Sequence, residues 1–167
     1  EMTDENWDKL NNAIKEAVGA LNDFREREGV ILYNDVTSRV ALIESFVCEV
    51  EKHEQERIDA VKERIRNRIA ELQAQPDENR LEQEIIFYLE KLDINEEKVR
   101  LRQHCKYFMD TINNEPNPGK KLGFIAQEMG REINTLGSKS NDSQMQRLVV
   151  QMKDELEKIK EQVLNLL

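Results

Sequence analysis

The sequence predicts an all-α protein, an elongated antiparallel helical bundle with a long coiled-coil-like helical hairpin. Its 167 residues are 35% charged and 5% aromatic and include three prolines, a composition typical of helical proteins. Apolar residues recur at three-four spacing along most of the chain, and no segment alternates as a half-buried strand would. The low mean hydropathy fits an elongated shape, because thin helical hairpins keep more side chains wet than a sphere does.

Residues 1–75 are predicted to form the hairpin. Its first arm, residues 4–52, carries two apolar stripes whose phase changes around Gly29, which predicts a kink or a change of packing partner there. A second helix starts near Ile58 and ends before Pro76. We expect Trp7 to anchor the core. In one interpretation, the hairpin is an oligomerisation arm. The two stripes are Trp7, Leu10, Ile14, Ala17, Leu21 and Phe24, and then Tyr33, Val36, Val40, Ile43, Val47 and Val50.

Residues 76–167 are predicted to form a helical bundle. Asp77 is suited to cap or begin one helix, and Asn95 begins another that runs to about Asn113. Two prolines and a glycine interrupt the chain over residues 114–119, which forbids a continuous helix there. Another helix follows, and Asp142 or Ser143 caps the last one.

The charge pattern limits the classes of partner. The formal net charge of −9 argues against nucleic acid for the chain as a whole, but residues 57–69 and 98–121 are locally basic and could dock a polyanion. No apolar run is long enough to span a membrane. Cys48 and Cys105 lie far apart without metal-ligand spacing, which fits a reducing compartment, so we expect a cytoplasmic protein.

Glu128 and Glu132 are the first candidates for chemistry. They lie four residues apart in a predicted helix, so both carboxylates project from one face, with Arg131 beside them. Paired carboxylates of this kind can hold Mg²⁺ or Mn²⁺ against a phosphate. The alternative is an ordinary solvated helix face, which such pairs more often mark.

His104 belongs to a second polar cluster, with Glu97 and Arg100 at three-four spacing on one face. It could act as a general acid or base, ligate a metal or stack on a base. The alternative is a solvated histidine.

Two further groups have plain structural explanations. Salt bridges along a helix account for Arg25 and Glu28 around Gly29. A stripe of Arg57, Arg64 and Arg68 fits a solvated face, although its basic block is also a reasonable place for phosphates. His53 is interpreted as structural.

The three clusters around Gly29, His104 and Glu128, in this order, resemble the C-terminal helical half of the YicC/YloC family of bacterial stress-linked proteins. The resemblance covers nearly the whole chain. It depends on REREG at 25–29, on DINEE with RL and His104 at 93–104, and above all on GKKLGFIAQEMGREINTLGSKSND at 119–142. It implies an endoribonuclease that cuts single-stranded RNA with a divalent metal and works as a homo-oligomer, with no DNA or membrane partner. Family members also carry an N-terminal domain, so the resemblance implies that this sequence corresponds to the C-terminal portion alone.

The resemblance also assigns residues. It implies catalytic roles for Glu97, His104, Glu128 and Glu132, with Mg²⁺ or Mn²⁺ on the last two. RNA contacts are expected from Arg100, Lys121, Arg131, Asn134 and Lys139, and Arg25, Glu28 and Gly29 match the REREG element. Gly123 and Gly130 replace the Asp and Asn that the family usually has. The alternative function is a non-catalytic helical oligomerisation or RNA-binding adaptor domain.

Overall fold

The computed structural model describes residues 3–71 and 77–166. Within these residues the chain forms five helices and no strand, so the all-α prediction is confirmed. The elements are α1 (Asp4–Glu71), α2 (Glu78–Leu92), α3 (Asn95–Asn114), α4 (Gly119–Lys139) and α5 (Ser143–Val163).

The hairpin expected within residues 1–75 is wrong, because α1 is one continuous helix through Gly29 and through residues 52–58. No proline interrupts it, and a single helical glycine costs only about 1 kcal/mol relative to alanine. At 1.5 Å per residue, its 68 residues span about 100 Å, roughly three times the length of α3, α4 or α5. The end predicted near Pro76 lies outside the described residues.

Residues 33–57 of α1 join α3, α4 and α5 in a four-helix bundle in which sequential neighbours are antiparallel. Tyr33 bonds Asn113, and Arg102 pairs with Glu51, so α1 and α3 run in opposite directions. α1 packs against α5 and α3, and α4 packs against the other side of the same two helices. One core holds them together, drawn mainly from Val36, Val40, Ile43, Val47, Val50, Leu101, Phe108, Leu122, Met129, Ile133, Leu136, Met152, Leu156 and Ile159.

Short local signals set the helix boundaries. Asp142 caps α5, since its Oδ1 accepts a hydrogen bond from the Met145 amide at 2.9 Å, and Asp77 caps α2 in the same way through Asn79. The proline-containing loop ends α3. Gly119 then lets α4 begin against the end of α5, because a Cβ there would lie 2.7 Å from the Val163 carbonyl oxygen.

The first turns of α1 lie outside the bundle. All of residues 3–28 are exposed, including Trp7 at 55%, so the expectation that Trp7 anchors the core is wrong. Burial in the bundle starts a few residues after Gly29, so the apolar stripe changes phase close to where α1 enters the bundle, and a separate partner for the first stripe stays a prediction. We call residues 4–31 the N-terminal arm. Its exposed apolar side chains are Trp7, Leu10, Ile14, Val18, Leu21, Phe24, Val30 and Ile31.

Candidate active site along the α3–α4 seam

Polar side chains of α3 and α4 meet along the outer edge of their packing interface, which we call the α3–α4 seam. Three-four spacing places one row on a single side of α3, and antiparallel packing sets it beside a matching row on α4. The α3 row is Glu97, Arg100, His104 and Tyr107, and the α4 row is Lys139, Glu132, Glu128 and Lys121.

At one end of the seam, Glu97 and Lys139 form a largely buried ion pair. Their Oε1 and Nζ atoms are 2.6 Å apart, and the Glu97 side chain is only 5% exposed. The second carboxylate oxygen of Glu97 is buried and has no hydrogen-bond partner among the described residues. The pair fixes the start of α3 to the end of α4. Both of its residues were predicted from the sequence to act on RNA.

In the middle of the seam, each of the two predicted metal ligands faces an arginine. Glu132 is 12% exposed and lies 4.0 Å from the Arg100 guanidinium, which also pairs with Glu96. Glu128 is half-exposed and pairs with Arg131 at 2.9 Å. The two carboxylates thus occupy one turn of α4, as predicted, and each already has a cation beside it.

His104 lies between these carboxylates and the far end of the seam. It is half-buried and makes no hydrogen bond within the described part of the chain. Arg100, one turn before it, is level with Glu132, and Tyr107, one turn after it, is level with Lys121. Because the helices are antiparallel, His104 therefore lies opposite the stretch of α4 between Lys121 and Glu132, which contains Glu128.

The far end of the seam is held by Lys121. Its ammonium group pairs with Glu115 and lies 5.0 Å from the centre of the Tyr107 ring. The hydrogen bond to Glu115, and after it the one to Tyr107, raises the pKa of Lys121 above its usual value. Lys121 consequently stays charged across the physiological range and places a fixed positive charge next to a ring that could stack on a base.

The donor set of the seam fits a hydrated divalent ion better than an ion enclosed by protein ligands. Among residues 3–71 and 77–166, no group of three or more His, Cys, Asp or Glu side chains is arranged to hold a metal. Mg²⁺ commonly keeps several waters and uses one or two carboxylates. Glu128 and Glu132 offer that number, at the cost of displacing the arginines beside them.

Some predicted site residues lie elsewhere. Asn134 is exposed and sits two residues after Glu132, about 200° around α4, so it points away from the seam. Arg25, Glu28 and Gly29 lie on α1, which packs on the far side of the bundle from α4. These three border a cavity of about 480 Å³ with Asn165 and Leu166 at the end of α5. The structure does not bring them to the seam.

The two glycines that depart from the family pattern also lie off the seam. Gly123 is about 140° around α4 from Glu128 and about 180° from Glu132, and a Cβ added to it would meet nothing within 4 Å. Gly130 faces α5, where an added Cβ would lie 3.2 Å from a side-chain carbon of Leu156. A carboxylate at position 123 would therefore not complete a ligand set with Glu128 and Glu132.

Sequence reasoning missed Tyr107 and Glu115, which belong to the Lys121 end of the seam. The spacing of Glu97, Arg100 and His104 continues to Tyr107, so extending that row by one turn would have found the ring. Glu115 lies in the proline-containing loop, and its contact with Lys121 depends on the loop's path, which the spacing does not reveal.

Comparison with known proteins places these motifs in a family. The family model described as "Endoribonuclease YicC-like, C-terminal" matches residues 50–166, which include the whole α3–α4 seam. The chain belongs to the YicC-like endoribonuclease family. It is 40% identical over 163 residues, 96% of its length, to the probable endoribonuclease YicC of Clostridioides difficile, and 33% identical over 149 residues, 87% of its length, to the probable endoribonuclease YicC of Haemophilus influenzae.

The chain spans about half the length of these YicC relatives, 56% and 52% respectively. The family model begins inside α1, so the N-terminal arm lies before the matched region, whereas the Clostridioides difficile relative still aligns with most of the arm. None of the helices in the described part of the chain is long and apolar enough to cross a membrane.

Proposed function

We propose that the chain is the C-terminal domain of an endoribonuclease that cuts single-stranded RNA along the α3–α4 seam. The observation that carries the proposal is the position of His104, which has no hydrogen-bond partner among the described residues and lies opposite the stretch of α4 that contains Glu128. A titratable group, two carboxylates and several cations thus share one accessible edge of the family's matched region.

His104 is the group suited to move a proton. An imidazole can take a proton from an attacking hydroxyl or give one to the leaving oxygen. Within the described residues its ring nitrogens are not engaged in any hydrogen bond. Glu97, by contrast, is committed to Lys139, so we assign it a positioning role at the start of α3.

The cations of the seam would bind the RNA backbone. Arg131 is 68% exposed and Arg100 is half-exposed, so either guanidinium can turn from its carboxylate to a phosphate and bind it in a bidentate manner. Lys121 adds a third charge beside the Tyr107 ring. Of the basic block 98–121, Arg100 and Lys121 lie on this edge, whereas Lys98 and Arg102 pair with Glu54 and Glu51 of α1.

Glu128 and Glu132 would hold a hydrated Mg²⁺ or Mn²⁺. Such an ion supplies Lewis acidity at the phosphate and a more acidic water when it is bound. Release of Glu128 from Arg131 would free that arginine for a phosphate, so RNA and cation would favour the same rearrangement.

A second feature, the N-terminal arm, supports self-association. Trp7, Leu10, Ile14, Leu21 and Phe24 follow a seven-residue repeat and are all exposed. Sustained spacing of this kind is the pattern of a left-handed coiled coil. The arm of a second copy offers a matching stripe, so we propose a homo-oligomer. This feature also suits the alternative function, an adaptor that oligomerises and presents RNA without cutting it.

Digestion of labelled RNA separates the two functions. The longest natural form of the protein and the 167-residue chain are each incubated with single-stranded RNA, with Mn²⁺ or with EDTA. Cleavage is expected with Mn²⁺ and not with EDTA. His104→Gln is expected to slow cleavage about a hundredfold or more, the usual contribution of a general acid or base, and Glu128→Gln is expected to weaken the response to Mn²⁺.

Glu157→Gln is the matched control, since Glu157 is an exposed glutamate of α5 that pairs only with Lys160 among the described residues. Binding of RNA with no cleavage by the longest form would support the adaptor instead. Cleavage that survives both EDTA and Glu128→Gln would contradict the metal-carboxylate part of the proposal.

A further inference from the structure

A cavity of about 370 Å³ lies where α1, α2 and the start of α5 meet. None of its lining residues belongs to the α3–α4 seam. Its apolar wall includes Val61 and the ring of Tyr88, and its polar wall includes His53, Arg64 and Asp142. The volume is within the range of small-molecule sites, which combine apolar surface with a few polar groups. We call it the α1–α2 cavity.

Two atoms among the lining residues have unused hydrogen-bonding capacity. Asp142 uses Oδ1 to cap α5, whereas its Oδ2 is buried and has no partner among the described residues. His53 Nδ1 is also buried and unpaired there, and the nearest carboxylate oxygen of Glu56 is 3.6 Å away, too far for a hydrogen bond. Such buried groups are rare in folded proteins and usually meet a ligand or an ordered water.

The arginines of the cavity divide into one structural and one available side chain. Arg57 donates to Ser140 Oγ at 3.1 Å and to the carbonyl oxygen of Leu92, so it holds α1 to the ends of α4 and α2. Arg64 makes no hydrogen bond or ion pair within residues 3–71 and 77–166. Arg64 and Tyr88 also border an adjoining cavity of about 400 Å³ that includes Arg68.

We propose that the α1–α2 cavity binds one ribonucleotide unit of the RNA, with its phosphate against Arg64 and its base against Tyr88. An aromatic ring gives a base a stacking surface, and a guanidinium binds phosphate oxygens in a bidentate manner. Once rotation of the Asp142 carboxylate brings its buried Oδ2 to the cavity, that oxygen would accept hydrogen bonds from ribose hydroxyls, which DNA lacks at the 2′ position. Glu56 and Glu84 lie among the lining residues of the two cavities, which favours a single phosphate over several.

This inference deepens the proposed function. It depends on that function for the statement that the bound nucleotide belongs to an RNA strand. The cavity is a binding subsite away from the seam, so it would select or anchor the RNA and take no part in bond cleavage. The basic block at 57–69, which the proposed chemistry leaves unused, receives a role in this way.

Calorimetric titration of the chain with 5′-AMP, 5′-UMP and their 2′-deoxy forms tests the inference directly. We expect saturable binding of one nucleotide per chain, weakened about tenfold by Arg64→Ala or Tyr88→Ala, the usual effect of losing a phosphate contact or a stacking ring. Asp142→Asn keeps an α5 cap of similar strength and should reduce the preference for ribose. Circular dichroism melting verifies that each variant is folded.

Arg66→Ala is the matched control, because Arg66 is an exposed arginine of the same helix that does not line either cavity. Equal weakening by Arg66→Ala and Arg64→Ala, or the absence of saturable binding, would overturn the inference. RNA digestion by the same preparation keeps the two proposals apart. RNA cleavage without nucleotide binding would reject the nucleotide subsite and leave the endoribonuclease proposal standing. Nucleotide binding without RNA cleavage by the longest form would reject the endoribonuclease proposal, and with it the identification of the bound strand as RNA substrate.

Discussion

Replacement of Lys139 by methionine tests whether the Glu97–Lys139 pair belongs to the fold or to the RNA. Glu97 Oε1 accepts from Lys139 Nζ at 2.6 Å, and Glu97 Oε2 already has no partner among the described residues. Lys139→Met would therefore leave a buried carboxylate without a counter-ion. Breaking a buried ion pair from one side costs on the order of 3–5 kcal/mol.

The expected cost here is smaller, because the Lys139 side chain is 33% exposed and water could reach the carboxylate after the substitution. We expect the free energy of unfolding to fall by about 2 kcal/mol, which for a chain of this size lowers Tm by roughly 4–8 °C. Urea denaturation followed by circular dichroism, with the slope m unchanged, measures it. Lys160→Met, which removes a surface partner of Glu157, should change stability by less than about 0.5 kcal/mol.

Adding Glu97→Gln to Lys139→Met should recover much of the loss, because a neutral amide is less costly to bury than an unpaired charge. A Lys139→Met variant as stable as the Lys160→Met control would refute this reasoning. It would show that Lys139 is not needed by the fold and remains available to bind phosphate, as the sequence alone predicted.

Three further outcomes follow from the structure. Gly119→Ala should lower the free energy of unfolding by about 2–3 kcal/mol, because the added Cβ would meet the carbonyl oxygens of Val163 and Leu166. Gly123→Ala has open space around it and should raise the free energy of unfolding by up to about 1 kcal/mol. Thermal melts measure both changes, and equal melting temperatures for the two variants would contradict this prediction. Phe24→Asp should reduce the sedimenting mass in ultracentrifugation without changing the melt of the bundle, and an unchanged mass would exclude the arm as the interface. Burial raises the pKa of the Cys105 thiol to about 12, so at pH 8 a thiol reagent should modify Cys48 and spare Cys105 in the folded chain. The stability that the neutral Cys105 thiol contributes should be lost only as the pH rises from the thiol's pKa in the unfolded chain toward 12. Rapid modification of both cysteines would contradict this prediction.

Much of the fold is predictable from the sequence because helix signals are local. Asp77, Asn95 and Asp142 mark helix starts, and the prolines of residues 114–119 mark a loop, and each lies where the structure has the corresponding boundary. The continuity of α1 was not predictable in the same way. Its apolar stripe changes phase near Gly29, close to where α1 enters the bundle, and a break in the helix would give the same pattern.

The sequence predicts which residues of α3 share one side of the helix at the candidate site. It predicts less well which side chains of α4 they contact. Spacing alone sets Glu97, Arg100 and His104 on one side of α3. It does not reveal that Glu97 is buried against Lys139, since burial depends on how α4 packs. The resemblance assigned Asn134 to the RNA contacts together with Arg131, but it lies two residues after Glu132 and therefore about 200° around the helix from it.

Cleavage of labelled single-stranded RNA by the longest natural form of the protein, compared with its His104→Gln variant, tests the central claim most directly. The account predicts cleavage in the presence of Mn²⁺ that falls about a hundredfold or more in the variant, with RNA affinity and thermal stability unchanged. A variant that cuts RNA as fast as the original protein would contradict the assignment of the α3–α4 seam as the active site.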